Sequence, residues 1–257
     1  MENKVLVRLE EHIKTITFNN PSRKNAISKE MVEQVREAVE SSEQDGTRVI
    51  VLTGSGGNFC SGADLAGGEE IKEDVRKYLE TSVNPTILAM RNTNIPIIAK
   101  ISGVCVGLGF NMALACDMLI ASEDARFSQI FTNIALSSDG GGGFFMPHRI
   151  GYYKAFELMA LATVFTAEEA HHLRLLNRVC GAQLLDKTVQ EIAERLASGP
   201  FLAIKHTKAN LREGISGNLA STLALEAQNQ GENFKSKDFL EGMLAFMEKR
   251  KPKFSGE

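Results

Sequence analysis

No tryptophan occurs among the 257 residues, and the four cysteines, Cys60, Cys105, Cys116 and Cys180, show no CxxC spacing. That spacing excludes the common zinc and dithiol signatures, and three of the thiols sit in apolar surroundings typical of buried cysteine. A reducing cytoplasm is the expected location. Charge excess is also missing: 29 Lys and Arg stand against 32 Asp and Glu, a formal net charge of -3 mixed along the chain. Nucleic-acid and anionic-membrane binding need a local surplus of cations, so neither partner is expected. No window approaches the roughly 18 apolar residues of a spanning helix. The start, Met1-Glu2-Asn3-Lys4, lacks a basic stretch leading into an apolar run, so no targeting segment is expected. Of five histidines, His171 and His172 are adjacent on a helical stretch and point different ways, while His148 beside Arg149 reads as a surface or phosphate-side residue. No metal site is expected.

What is present is an α/β pattern with 43% hydrophobic residues, enough for one sizeable core. Residues 4–10 and 14–19 alternate as a hairpin with one buried face. Ser28 reads as an N-cap, with Met31, Val32, Val35 and Val39 along one helical face. Val49 to Gly54, Ile97 to Gly103 and Met118 to Ala121 read as buried strands, and Leu108 to Cys116 as a helix. Gly67-Gly68-Glu69-Glu70, within residues 66–78, reads as a mobile loop or a short lid helix. From Ala167 the pattern turns helical, and Gly199-Pro200 separates a core of residues 1–198 from a C-terminal helical region, residues 199–257. Asp117 reads as fixing a turn after its helix.

Three segments carry candidate chemistry. Asp139 leads a run of four glycines, Gly140 to Gly143, where an absent Cβ lets a ligand crowd the main chain, and Ser137-Ser138-Asp139 reads as an N-cap signal before Phe144-Phe145-Met146. Asn58-Phe59-Cys60-Ser61-Gly62-Ala63-Asp64-Leu65 and the stretch from Gly103 to Asp117 each put small residues after a buried strand. Amides freed in such turns suit an oxygen that becomes negative during reaction.

In this order, and with Asn20-Pro21-Ser22-Arg23-Lys24-Asn25-Ala26 ahead of them, these segments resemble the crotonase (enoyl-CoA hydratase/isomerase) superfamily nearly end to end. The resemblance implies a crotonase-like spiral of ββα repeats with a helical C-terminal region, a homotrimer or dimer of trimers, and an acyl-CoA thioester substrate. CoA then enters as part of the substrate, and no separate cofactor is expected. It implies that Arg23, Lys24 and Ala26 lie along the CoA nucleotide, that Ala63, Asp64 and Leu65 lie near adenine and pantetheine, and that the N–H groups of Ala63 and Leu108 form the oxyanion hole. Hydratases of this family use two glutamates, and here Asn111 and Phe131 occupy their places, both assigned to substrate binding. Neither exchanges a proton near neutral pH. Asp139 stands where isomerase branches resembling 1,2-epoxyphenylacetyl-CoA isomerases carry their aspartate, so a double-bond isomerase with Asp139 as acid/base is expected. An apolar flank of Phe131, Phe144 and Phe145 is expected to raise its pKa. The alternatives are a hydratase-like lyase and a non-catalytic acyl-CoA binder. A dehalogenase-like displacement also needs a tryptophan and a histidine that this chain lacks at the family's positions.

Overall fold

The computed structural model describes residues 3–65 and 74–256. The greater part of the Gly-rich lid segment therefore lies outside the described residues. Two strands open the fold, β1 (Val5–Glu10) and β2 (Ile13–Phe18), paired antiparallel from Val5 opposite Phe18 to Glu10 opposite Ile13. The hairpin is present, but the single buried face expected of both strands belongs to β2. In β1 only Val5 is buried, because β1 is the edge of the sheet.

Ser28 caps α1 (Lys29–Ser41), its side chain accepting from the Met31 N–H at 3.3 Å, and the predicted stripe of Met31, Val32, Val35 and Val39 is buried. β3 (Val49–Gly54) follows, then a short α2 (Val75–Tyr78), a π turn (Leu79–Val83) and α3 (Asn84–Asn92). Next come β4 (Ile97–Ile101), β5 (Val104–Val106), α4 (Gly107–Leu114), β6 (Met118–Ser122) and β7 (Arg126–Ser128). A 3-10 turn (Ile130–Ile134) leads to α5 (Gly142–Ile150), α6 (Tyr152–Ala160), β8 (Phe165–Thr166) and α7 (Ala167–His172). β9 (Arg178–Cys180), α8 (Leu185–Ala197), α9 (Phe201–Ser216), α10 (Leu219–Asn233) and α11 (Lys237–Met247) complete the chain.

One sheet runs in the order β1-β2-β3-β4-β6-β9, parallel after its first pair, and a smaller one runs β5-β7-β8. Parallel strands bury both faces, which is why β3 reads as a continuous apolar run. On one face α1, α3 and α4 join the main core through Met31, Val35, Met90, Phe110 and Leu114. On the other, Leu185, Val189, Ala193 and Ala197 of α8 cover Ile13, Val49, Val51, Ile98 and Ile120. The result is the crotonase-like mixed α/β spiral with a helical C-terminal region. Asp117 stitches the layers: its Oδ2 accepts from the Ile97 N–H at 2.8 Å and from Lys208 Nζ of α9 at 2.7 Å. No helix among the described residues is long and apolar enough to cross a membrane.

Candidate active site

The two small-residue loops are laced together by main-chain bonds. Cys60 N–H donates to Val104 O at 2.8 Å and Val106 N–H donates to Cys60 O at 3.0 Å, a parallel bridge that pairs Cys60 with Cys105. In each loop the candidate donor follows a glycine in the left-handed region, Gly62 at φ +98° before Ala63 and Gly107 at φ +55° before Leu108. Glycine reaches that region without the steric cost a Cβ imposes. A Cβ on Gly62 would sit 4.0 Å from the Leu108 nitrogen, so the two turns face each other.

The bonding pattern directs both amides outward. Ile27 N–H donates to Gly62 O at 2.8 Å and Asp64 N–H to Ile27 O at 2.8 Å, so the intervening Ala63 N–H faces away from Ile27. Leu108 lies in the first turn of α4, whose N–H groups have no intrahelical acceptor. These two N–H groups form a candidate pair of donors for one oxygen.

Beside them lies Asp139. Asn111, one turn beyond Leu108 on α4 and fully buried, donates through Nδ2 to Asp139 O at 2.7 Å and to Ser138 Oγ at 3.2 Å. Its Oδ1 accepts from Gln129 Nε2 at 2.7 Å, and Ser138 Oγ closes the ring by donating to Gln129 Oε1 at 3.3 Å. The helix that presents the Leu108 amide therefore also clamps the loop that carries Asp139. Both ends of the Asn111 amide bond within the protein, so the residue holds the loop.

The glycine run serves the same docking. A Cβ on Gly140 would lie 2.7 Å from Leu108 Cδ1, and one on Gly142 would lie 2.2 Å from Ser138 Oγ and 2.8 Å from the Asn111 amide. These glycines let the loop reach α4; nothing of this kind surrounds Gly143. The expected N-cap is not formed. Gly141 occupies the cap position of α5 without a side-chain bond, and Asp139 contributes only its carbonyl, which accepts from Gly142 N–H at 3.1 Å. Its carboxylate is thereby left for other work.

That carboxylate is desolvated. Asp139 Oδ1 is buried with no hydrogen-bond partner among the described residues, and burial pushes the pKa up to about 6. Of the expected aromatic flank, Phe145 is buried and packs beside Gly141, whereas Phe144 is 47% exposed and stacks on His148 with ring centroids 4.2 Å apart. Phe131 is buried and lines a neighbouring cavity of about 350 Å³ with Gln129, Ser138, Tyr152 and Phe156. His148, exposed, donates through Nδ1 to the Phe144 carbonyl at 2.7 Å.

The expected CoA-side residues gather on one rim. Ser61 N–H donates to Lys24 O at 2.9 Å and Ser61 Oγ to Arg23 O at 2.9 Å, which brings Arg23, Lys24 and Ala26 alongside Ala63, Asp64 and Leu65. Arg23 Nη1 reaches Asp64 Oδ2 at 2.8 Å, a pair that orients a guanidinium still 43% exposed. Asn25, fully buried at φ +57°, donates to Ser55 O and Asn58 O at 2.9 and 2.7 Å and so fixes the rim to the first loop.

An enoyl-CoA hydratase/isomerase family model matches residues 8–257. The chain belongs to the enoyl-CoA hydratase/isomerase family. Within this crotonase superfamily, it is 31% identical over 258 residues to a 1,2-epoxyphenylacetyl-CoA isomerase of Escherichia coli, covering 98% of each chain. It is 36% identical over 248 residues to a probable enoyl-CoA hydratase of Rhodobacter capsulatus, covering 96% of each. The crystal structure of an enoyl-CoA hydratase from Bacillus anthracis superposes with a TM-score of 0.92 at 33% identity, covering 99% of this chain and 100% of that one. Acyl-CoA hydratase/isomerase chemistry is the activity of this family.

The residues that sequence patterns missed are Gln129 and Ser138 as members of the ring. Gln129 and Ser138 lie 18 and 27 positions from Asn111, so only the fold joins them. Replacing Asn111 with Ala strips the Gln129 amide of its partner and leaves the Asp139 carbonyl one donor short, though still bonded by Gly142 N–H, and an orphaned buried group costs about 1–3 kcal/mol. Urea unfolding of Asn111→Ala is expected to show that loss, together with a lower kcat at nearly unchanged KM; wild-type stability would count against the clamp.

Proposed function

We propose that the chain is an acyl-CoA isomerase that moves a double bond by a proton shift. The observation that carries this reading is a single desolvated carboxylate, Asp139, clamped to the helix that offers the Leu108 amide. The thioester carbonyl oxygen accepts from the Ala63 and Leu108 N–H groups. Asp139 takes a proton from the α carbon of a 3-enoyl-CoA, the electron pair spreads to the carbonyl oxygen as an enolate, and the same carboxyl returns the proton to the γ carbon. Atoms balance without water, and the product is the conjugated 2-enoyl-CoA. Charge developing on that oxygen is what fixed donors stabilise, each contributing about 3 kcal/mol. Arg23, Lys24, Ala26, Asp64 and Leu65 supply the rim along which CoA lies.

A hydratase is the second reading, favoured by the hydratase names among the relatives. Hydration needs a second acid/base to orient water, and Asn111 stands where the family's pattern places one. Following 3-hexenoyl-CoA and crotonyl-CoA in parallel tests both: rapid conversion of the first and negligible hydration of the second supports the isomerase, and the reverse result overturns it. Binding without turnover of either would favour an acyl-CoA binder. The exposed Tyr153, Phe156 and Leu161, at 89%, 60% and 71%, support assembly into the trimer or dimer of trimers expected of the family, which analytical ultracentrifugation would test.

A further inference from the structure

Tyr78 closes α2 with its side chain buried; the residue is 6% exposed. Its hydroxyl has no hydrogen-bond partner among the described residues, and it shares this condition with Asp139 Oδ1. Two carboxylates, Asp139 and Glu33, are near enough to hold the phenol well above its ordinary pKa, second only to burial itself. Neither serves as its acceptor. Glu33 Oε1 instead accepts from Ser82 Oγ at 2.8 Å. Tyr78 belongs to the main core cluster together with Val83 of the following π turn, Leu108 and Phe145, and Val83 and Leu108 in turn approach a Cβ built on Gly140, at 3.9 and 2.7 Å, so this stretch packs against the loop that carries Asp139. An orphaned hydroxyl in such a setting costs stability unless something else meets it. Remaining protonated, it offers a donor and seeks an acceptor.

An unsubstituted acyl chain has no acceptor beyond its thioester carbonyl, which the two loop amides already engage. We propose, on the basis of the isomerase reading above, that Tyr78 donates a hydrogen bond to an oxygen carried by the acyl chain near the carbons Asp139 addresses. The substrate class is then an oxygen-substituted acyl-CoA, and Tyr78 is its specificity-determining residue.

The test compares binding ratios within each protein, so that a general loss of folding or affinity cancels. Hexanoyl-CoA, 4-oxohexanoyl-CoA and 5-oxohexanoyl-CoA are titrated calorimetrically into the wild type and into Tyr78→Phe. The wild type is expected to prefer at least one oxo compound by about tenfold, the gain of one buried hydrogen bond. Tyr78→Phe is expected to erase that preference while binding hexanoyl-CoA as before. Equal affinities in the wild type, or a preference that survives Tyr78→Phe, would overturn the assignment of Tyr78 and leave the isomerase reading standing. Failure of the wild type to bind any of the three would overturn both.

Discussion

Replacing Asp139 with Asn is expected to lower kcat for 3-enoyl-CoA isomerisation by about 10³-fold or more, within the range that positioned acid/base groups contribute. Affinity for the acyl-CoA should persist, because the amide preserves shape and the two loop donors remain. Full activity in the variant would remove Asp139 from the mechanism. The wild type adds a pH signature. With a carboxyl titrating near 6, kcat/KM should fall about tenfold per pH unit below that value and level off above it, since the base form is the one that begins the reaction.

The same shift has a thermodynamic consequence of fixed sign. The Asp139 pKa is raised from 3.8 to about 6, so between those values the folded chain holds a proton that the unfolded chain has released. Stability therefore declines as pH rises through this window, by at most about 3 kcal/mol at 1.36 kcal/mol per unit, with partial solvent access reducing the figure. Asp139→Asn escapes this loss. Its unfolding free energy should exceed that of the wild type at pH 8, and the difference should close below about pH 4; a variant less stable at pH 8 would contradict a desolvated carboxylate. Gain of stability with loss of activity is the pattern of a residue kept for function.

The second large effect concerns a hydrogen atom on the main chain. Leu108→Pro deletes one candidate oxyanion donor at a first-turn position, where proline is compatible with a helix. Leu108→Ala retains the N–H while removing the buried side chain. The proline variant is expected to have a kcat about 10²–10³-fold below that of the alanine variant, the usual cost of losing one such donor. Circular dichroism of both proteins controls for folding. Equal kcat values would mean that the Leu108 amide does not meet the developing charge.

The strand and helix alternation was legible because apolar period and cap residues are local properties. Ser28 and the buried stripe of α1 follow from that logic. The resemblance of three ordered segments also put Asp139, Ala63 and Leu108 forward as a candidate set. It misjudged Ser137-Ser138-Asp139 as a cap, since capping and catalytic uses of a carboxylate share the same local signal. It did not show the clamping role of Asn111, since a free amide and one bonded to Gln129, Ser138 and the Asp139 carbonyl look alike in one dimension. It gave the glycine run to the ligand, when Gly140 and Gly142 are needed to dock the loop on α4.

By itself the amino-acid sequence determined which residue types stand in the candidate segments: one carboxylate ahead of a glycine run, two turns of small residues, and Asn111 and Phe131 where the family resemblance places the glutamates of a hydratase. Tertiary structure alone decided what each of them faces. The parallel bridge at Cys60 and Cys105 turns two distant loops toward each other, and the Asn111 ring draws Asp139 against the helix that bears Leu108. Burial then supplies what no sequence pattern encodes: it leaves Asp139 Oδ1 and the Tyr78 hydroxyl without hydrogen-bond partners among the described residues, and desolvation raises the pKa of the Asp139 carboxyl.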